Sequence, residues 1–397
     1  MPEKLLSIKV RNYRCLRDLV VATGSINVLF GPNGVGKSTF LDALWFVRDC
    51  AIRGTDEAAS TRHHGIGVLW DGADPDDRIE IALETGDAEY SISFGFSSGR
   101  IEPFVGERFR SKTRNLTLFE RAIGSAEADF YHENLKQITR VKLPGPEKPA
   151  FSNYLLFTDP APETSGFDEI LHAIHLYASR SANFFQLRRL GSESTPHTFL
   201  YDRWQNLWSA LRNLHGRRAL DERFETILGF MRKGFPGAFR DLVFDQFGPD
   251  RVYASFVEEN RRQPIAASGV SDGHLQLLGL LTALFGMLPY RATATAIFDE
   301  PETSLHPHAI SVFAEAVKLA AEKWGRQIFI ATHSPVLMSQ FSIDDTIIFE
   351  HDPQRSTVSR RPADLLDLKD FLDHYSLGSL FMAEEVAPQS GGKRNAA

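Results

Sequence analysis

A glycine-rich loop at residues 31–38 carries the residue types that bind nucleotide phosphates. It reads Gly31-Pro-Asn-Gly-Val-Gly-Lys-Ser38 and fits the pattern G-x-x-x-x-G-K-[ST]. Glycines let successive N–H groups turn inward on an anion, and the start of a helix adds partial positive charge. Lys37 is placed to reach the terminal phosphates and the hydroxyl of Ser38 to bind Mg²⁺. The expected phosphate-binding residues are Gly31, Pro32, Asn33, Gly34, Val35, Gly36, Lys37, Ser38 and Thr39.

The segments on either side of this loop have the order that a P-loop requires. An apolar, β-prone run (26–30) precedes it, and an apolar helical pattern continues to Val47. The plain alternative is a glycine turn before an ordinary helix. The correct flanking strand and helix favour a nucleotide phosphate site.

Two later segments end in side chains suited to phosphoryl chemistry. A β-prone apolar run ends in Asp299 and Glu300, and strand geometry points these acids in opposite directions. One can then hold Mg²⁺ through its water shell while the other addresses the attacking water. A second buried strand (327–331) delivers His333 near its end. A single histidine at a strand end is more often structural, but its place downstream of a P-loop favours a role in the site.

Two further candidates have both a functional and a structural interpretation. Ser271 and Gly273 stand at the start of a long apolar helix, where free N–H groups and a hydroxyl suit a phosphate. Most such caps only satisfy their own helix. Arg14 lies close in sequence to the P-loop strand and could touch the nucleotide, or it could be a surface arginine.

Composition limits the classes of protein that fit. A chain of 397 residues can form one large α/β domain with an insertion, or two domains. The net charge of −7 gives nucleic acid binding no support. Two cysteines are too few for a disulfide framework or zinc cluster. The N-terminus lacks a secretory segment, and the longest apolar run (275–288) is shorter than a bilayer span, so we expect a cytoplasmic protein with no membrane partner.

The remaining patterns predict a mixed architecture. Strand-like runs at 78–84 and 89–96 indicate an antiparallel hairpin, and residues 202–233 have the period of two helices. Residues 103–165 resemble an insertion. Their basic cluster, interleaved with Phe109 and Phe119, suits a nucleic acid or an acidic partner, with a solvated helix face as the default. This cluster consists of Arg108, Arg110, Lys112, Arg114 and Arg121.

Taken together, the motifs resemble those of a known family. The loop at 31–38 (Walker A), SDG at 271–273 (signature), DEPE at 299–302 (Walker B) and THS at 332–334 follow the order of ABC-type ATPases. DEPETSLHP with SDGHLQLL is similar to the stand-alone ATPases of the AAA_21 type, relatives of RecF, of OLD-type ATPases and of chromosome-maintenance and double-strand-break-repair ATPases. DRWQNLWSALRNL and HYSLGSLF also resemble this family.

The resemblance implies an α/β fold, an ABC-type P-loop NTPase head with an antiparallel β subdomain and a helical insertion or lobe. The implied division comprises an N-terminal ATPase lobe (1–100), a partly irregular insertion (101–200), a helical lobe with a hairpin (201–265), a C-terminal ATPase lobe (266–386) and a flexible tail (387–397).

The resemblance also implies the residues' roles and the cofactors, ATP and Mg²⁺. Asp299 supports the metal, Glu300 polarises the hydrolytic water and His333 contacts the γ-phosphate. Ser271 and Gly273 cap the ATP held by the opposite subunit of an ATP-dependent homodimer. The signature reads SDGHL in place of SGGQ, and Gln186 is the one candidate for the metal-contacting Q-loop glutamine.

Several functions fit this resemblance. The first is an ATPase whose conformational switch acts on an effector protein encoded nearby or on nucleic acid, in DNA repair or anti-phage defence. The alternatives are the ATP-binding subunit of an ABC transporter and a nucleotide-gated scaffold with little turnover. A nuclease of the OLD type is less favoured, because about sixty residues follow His333 and domains are typically larger.

Overall fold

A computed structural model describes residues 3–74, 77–97, 99–158, 161–289, 294–352 and 356–362, together with Ser379. The tail expected at 387–397 lies outside these ranges. Within them the helices are α1 (Lys37–Arg53), α2 (Thr55–Ser60), α3 (Ala150–Phe157), α4 (Pro162–His172), α5 (Phe184–Arg189), α6 (Leu207–His215), α7 (Arg223–Gly234), α8 (Asp272–Phe285), α9 (Pro307–Lys323) and α10 (Pro335–Met338).

The strands of the described residues belong to four sheets. Those of the first half are β1 (Ser7–Tyr13), β2 (Leu16–Ala22), β3 (Ile26–Phe30), β4 (Ile79–Glu84), β5 (Ala88–Phe94), β6 (Phe96–Ser97), β7 (Arg100–Ile101), β8 (Gly106–Ser111), β9 (Leu116–Arg121), β10 (Glu127–His132) and β11 (Gln137–Lys142). Those of the second half are β12 (Ile174–Ala178), β13 (Ser192–Glu193), β14 (Asp241–Phe247), β15 (Arg251–Val257), β16 (Ile265–Ala266), β17 (Thr295–Asp299), β18 (Gln327–Ala331), β19 (Thr346–His351) and β20 (Thr357–Arg360).

A parallel sheet forms the centre of the fold. In the described part of the chain its order is β12-β17-β18-β3-β19-β20, and only β20 runs antiparallel. All five residues of β3, β17 and β18 are buried, as expected for parallel strands covered on both faces. Alternate side chains of β17 enter two separate cores: Ile297 packs in one, and Ala296 and Phe298 pack in the other.

An antiparallel sheet packs with α1 around the first of these cores. Its order among the described residues is β11-β10-β9-β8-β5-β4-β1-β2. The hairpin predicted at 78–96 is confirmed as β4 and β5, where buried and more exposed positions alternate along β5. Strand β8 pairs with β5 across the predicted division at residue 101, so the first part of the expected insertion continues this sheet.

The basic cluster does not form a helix face, which corrects the expectation for that segment. Arg108 and Arg110 point outward from β8, while Phe109 between them is fully buried. Phe119 on β9 is also buried, so neither ring is free to stack on a base. The period of two along a strand explains the alternation that resembled an aromatic and basic interface. Arg121 is buried, and its guanidinium donates to backbone oxygens of Ser125, Pro146 and Lys148.

The second core lies between the parallel sheet and a helical lobe. The two helices expected at 202–233 are present as α6 and α7, and the hairpin after them as β14 and β15. Helix α8 packs against α6, α7 and α9, and every residue from Leu275 to Phe285 is buried. Because α8 is surrounded, its apolar sequence has no polar face.

The close packing of α8 predicts a specific sensitivity at Gly279. A Cβ there would lie 2.0 Å from the ring of Trp204, which is fully buried. We expect Gly279→Ala to lower the free energy of unfolding by about 1–3 kcal/mol through overpacking. In the control Gly229→Ala, on the exposed side of α7, the new Cβ meets no atom within 4 Å. It should be neutral or add up to about 1 kcal/mol. Equal urea midpoints for the two variants would contradict this account.

Candidate functional site

Four segments begin side by side at one edge of the parallel sheet. Ala178 of β12 pairs with Asp299 of β17, Asp299 with Ala331 of β18, and Ala331 with Leu29 of β3. Because parallel strands end at the same edge, the residues that follow them converge there. These are the P-loop at 31–36, the Walker B turn at 300–304, the histidine segment at 332–334 and a short turn at 179–181.

The P-loop has the backbone geometry of an anion site. Gly34 and Gly36 have φ values of +76° and +103°, which side chains with a Cβ rarely adopt. A Cβ at Gly36 would also lie 2.8 Å from Leu16. Helix α1 has no side-chain cap, and the N–H groups of its first turn precede the first helical hydrogen bond, from Phe40 to Gly36. The start of α1 can therefore accept a phosphate. Of the other loop residues expected to bind it, Gly31, Pro32 and Val35 are buried, Asn33 is exposed and Thr39 is half-buried.

Lys37 lies buried beneath the loop. Its ammonium donates to the carbonyl oxygens of Gly31 and Pro32 at 2.8 and 2.9 Å, and its Nζ lies 3.5 Å from Nδ1 of His333. Burial lowers the pKa of Lys37 to about 8, against the opposing attraction of Asp299 and other nearby carboxylates. An anion bound at the loop would favour the charged ammonium.

Ser38 and Asp299 form an oxygen-rich pair at the base of α1. The hydroxyl of Ser38 donates to Oδ1 of Asp299 at 2.8 Å. Asp299 is only 7% exposed, and burial raises the pKa of its carboxyl group, although the hydrogen bond from Ser38 opposes the shift. Hydroxyl and carboxylate oxygens are the ligands that Mg²⁺ prefers. This donor set fits a magnesium ion.

Glu300 follows Asp299 in a constrained turn. Its φ is +53°, its N–H donates to Ala331, and its carbonyl oxygen accepts from the hydroxyls of Ser179 and Thr303. Its side chain is exposed, and one carboxylate oxygen lies 3.8 Å from Nε2 of His333. The turn thus sends the Glu300 carboxylate toward solvent while Asp299 stays buried.

Glu302 is a residue of the site that the sequence did not single out. Its Oε1 accepts from the hydroxyl of Thr332 at 2.6 Å and from the N–H groups of His333 and Ser334 at 3.0 and 3.2 Å. Its Oε2 is buried and has no hydrogen-bond partner among the described residues, and burial raises the pKa of its carboxyl group. Glu302 therefore fixes the backbone that carries His333. Its position as the third acid of the DEPE motif was the available signal.

Arg14 lies at the β1–β2 turn beside α1. Its guanidinium is 3.1 Å from Asp42, one helical turn after Ser38. Arg14, Ser38, Thr39, Asp42 and Asp299 all line one cavity of about 490 Å³. The arginine faces the site but is held by a carboxylate of α1.

Ser271 and Gly273 lie at the start of α8. Ser271 is exposed, and its hydroxyl lies 2.7 Å from Nδ1 of His274. A Cβ on Gly273 would lie 2.9 Å from the carbonyl oxygen of Ser304. Within the described ranges no hydrogen bond or ion pair joins either residue to the P-loop. One chain thus brings together Lys37, Ser38, Asp299, Glu300 and His333, and presents the start of α8 to solvent.

Two residues that sequence reasoning missed connect α8 and β12 with the Walker B turn. The buried amide of Gln276 donates to Oγ of Ser179 and to the carbonyl of Pro301. Arg180, at the end of β12, has its guanidinium 3.4 Å from Asp299. The expected Q-loop candidate, Gln186, lies in α5, where its N–H donates to the side chain of Asn183. No pattern within either sequence segment indicated these contacts.

The family is decided by the extent of the sequence match. The model of the family described as "AAA domain, putative AbiEii toxin, Type IV TA system" (AAA_21) matches residues 26–339. The chain belongs to the AAA_21 family. Its four motifs, at 31–38, 271–273, 299–302 and 332–334, all fall within the matched region.

Individual relatives agree with this assignment. The OLD nuclease of Thermus scotoductus is 24% identical over 402 residues, which cover 95% of the AAA_21 chain and 68% of that nuclease. Structural maintenance of chromosomes protein 6B of Arabidopsis thaliana is 41% identical over 59 residues, 15% of this chain and 6% of that protein. The chain is thus an ABC-, SMC- and OLD-like P-loop ATPase by family.

Solved structures show the same fold. A structure described as the Smc head domain with an extended coiled coil, bound to the C-terminal domain of ScpA derived from Pyrococcus furiosus, has a TM-score of 0.50 at 12% sequence identity. The superposition covers 94% of the AAA_21 chain and 100% of that one. The fold is that of an ABC-type P-loop ATPase head. No helix in the described ranges combines the length and apolar character needed to cross a bilayer.

The buried carboxyl group of Glu302 predicts contrasting effects of two substitutions. Glu302→Ala leaves the hydroxyl of Thr332 and the N–H of His333 without their acceptor, while the N–H of Ser334 still donates to Oγ1 of Thr332. We expect it to lower the free energy of unfolding by about 1–3 kcal/mol for each donor left buried. Glu302→Gln keeps the accepting oxygen and should be tolerated. Because the pKa is raised in the folded state, wild-type stability should fall as pH rises through the window between the unfolded and folded pKa values. Glu302→Gln should lack that fall. Thermal unfolding of all three proteins across pH 4–8 tests this expectation, and parallel profiles for wild type and Glu302→Gln would contradict it.

Proposed function

We propose that the chain binds ATP with Mg²⁺ and hydrolyses it between two copies of itself. The observation that carries this proposal is the convergence of Ser38, Asp299 and Lys37 at one sheet edge, with Ser38 Oγ 2.8 Å from Asp299. The uncapped start of α1 fits a triphosphate, and the oxygen donors fit a magnesium ion.

The residues of one chain divide the work of binding. The P-loop N–H groups and Lys37 hold the phosphates. The hydroxyl of Ser38 and the carboxylate of Asp299 would hold the metal. Mg²⁺, when bound, neutralises phosphate charge and polarises the terminal phosphoryl group. Arg14, which faces the same cavity, adds a contact to the nucleotide from the β1–β2 turn.

Glu300 and His333 act on the hydrolytic step. The exposed carboxylate of Glu300 orients a water toward the terminal phosphorus and accepts its proton as the new P–O bond forms and the bond to ADP breaks. His333 donates to the γ-phosphate from the neighbouring segment. Burial and the charge of Lys37 lower the pKa of His333, and a bound phosphate would oppose that shift.

The other half of each site comes from the partner. Ser271 and Gly273 lie at the start of α8, where Ser271 is exposed. This helix start can bind the γ-phosphate of the ATP held by a second chain. Because each chain has one P-loop and one signature face, a dimer with two-fold symmetry completes two sites. We infer that hydrolysis releases this dimer and that the change acts on a partner protein or on nucleic acid, since the relatives include a nuclease and a chromosome-maintenance protein.

A complementation experiment tests the shared site. Lys37→Ala removes one face and Ser271→Arg removes the other, so each variant alone should be inactive. In a mixture, half the dimers combine the two variants and each has one complete site. Turnover should return to about a quarter of the wild-type value per chain. A mixture as inactive as its components would contradict a site built from two chains.

A second variant tests the role of Glu300. Glu300→Gln keeps the shape of the side chain and removes its basicity, so ATP should bind and fail to turn over. The expected results are a loss of turnover of about 10²-fold or more and an ATP-dependent dimer in light scattering. Glu315→Gln, an exposed acid on α9, serves as the control and should behave as wild type. Undiminished hydrolysis by Glu300→Gln would rule out this role.

A further inference from the structure

Arg180 shares the carboxylate of Asp299 with Ser38. It lies two residues after Ala178, the last residue of β12, and Ala178 pairs with Asp299 in the sheet. Its Nη2 lies 3.4 Å from Oδ2 of Asp299, while Oδ1 accepts from Ser38. The carboxylate that fits a metal is thus flanked by a hydroxyl and a guanidinium.

The backbone beside Arg180 is held in place by hydrogen bonds, whereas the side chain of Arg180 is exposed. The preceding residue, Ser179, donates its hydroxyl to the carbonyl of Glu300 and accepts from Gln276. The side chain of Arg180 is 79% exposed, whereas that of Asp299 is 8% exposed. Ion pairs with a solvent-exposed partner are weak. The guanidinium can therefore leave Asp299 without disturbing the backbone beneath it.

A metal at Ser38 and Asp299 would change what attracts this guanidinium. The ion's charge would repel the arginine and take over the carboxylate that it pairs with. The terminal phosphate at the P-loop would then be a strong anion in the same cavity as Arg180. A guanidinium offers a planar pair of N–H donors that matches phosphate oxygens, and charge on these oxygens shifts during phosphoryl transfer.

We propose that Arg180 is a catalytic residue supplied by the same chain as the P-loop. Without nucleotide it neutralises Asp299, and with Mg·ATP bound it turns to the terminal phosphate and stabilises the transition state of hydrolysis. This inference rests on the proposed ATP site. It adds a positive charge to the site that does not come from the opposite subunit.

The test separates binding of the transition state from binding of the ground state. The full chain, Arg180→Ala, Arg180→Lys and the control Arg140→Ala are compared. Arg140 is likewise an exposed arginine paired with an aspartate, Asp129, but it lies on β11 and does not line the cavity. Single-turnover rates are measured with saturating Mg·ATP. Affinities for Mg·ADP with aluminium fluoride, a transition-state analogue, and for Mg with a non-hydrolysable ATP analogue are measured with fluorescent nucleotides.

Arg180→Ala should reduce the single-turnover rate by about 10²–10³-fold. It should weaken the aluminium fluoride complex by a similar factor and the ATP-analogue complex by only a few-fold. Arg180→Lys should be intermediate, and Arg140→Ala should match wild type. Wild-type values for Arg180→Ala in both assays would overturn the proposal. So would tighter Mg·nucleotide binding with an unchanged rate, which would make Arg180 only a counterion of Asp299. If the wild-type chain itself fails to hydrolyse ATP, the proposed function fails, and the two affinities still test Arg180.

Discussion

The hydrogen bond from Ser38 to Asp299 joins segments 261 residues apart, and the rest of the site depends on the strand register that allows it. β17 lies between β12 and β18, and β18 lies beside β3, so one sheet edge gathers the P-loop, the Walker B turn, His333 and Arg180. The motifs and their spacing form a site only because the strands have this order in the sheet. The two cores on either side of the sheet hold the strands that set it.

The same edge concentrates buried charge that the fold alone does not need. Burial lowers the pKa of Lys37 and raises those of Asp299 and Glu302. Glu300 adds a backbone conformation with φ of +53°. Such features are costly for stability and cluster where function requires them. In this site they are stabilised by local hydrogen bonds: loop carbonyls hold Lys37, Ser38 holds Asp299, and backbone N–H groups hold Glu302.

The sequence predicted those parts of the site in which local pattern and chemistry coincide. The roles of Gly34, Gly36 and Lys37 could be predicted because the loop requires glycine at its positive-φ positions and lysine at a fixed spacing. Strand β17 could be predicted from an apolar run that ends in two acids. The prediction that the basic cluster lies on a helix face was wrong. The alternation of Arg108 and Phe109 fits a strand equally well, and only the pairing of β8 with β5 decides between helix and strand. Gln276 and Arg180 were missed because their roles depend on contacts 97 and 119 positions away along the chain, with Ser179 and Asp299 respectively.

The most direct test of the account is a structure of the full chain with Mg²⁺ and a non-hydrolysable ATP analogue. The account predicts a two-fold dimer in which each triphosphate contacts Lys37 and His333 of one chain and the α8 start, at Ser271 and Gly273, of the other. The metal should lie between Ser38 and Asp299. A nucleotide bound away from the P-loop, or a P-loop complex in which Ser271 of both chains faces only solvent, would contradict it.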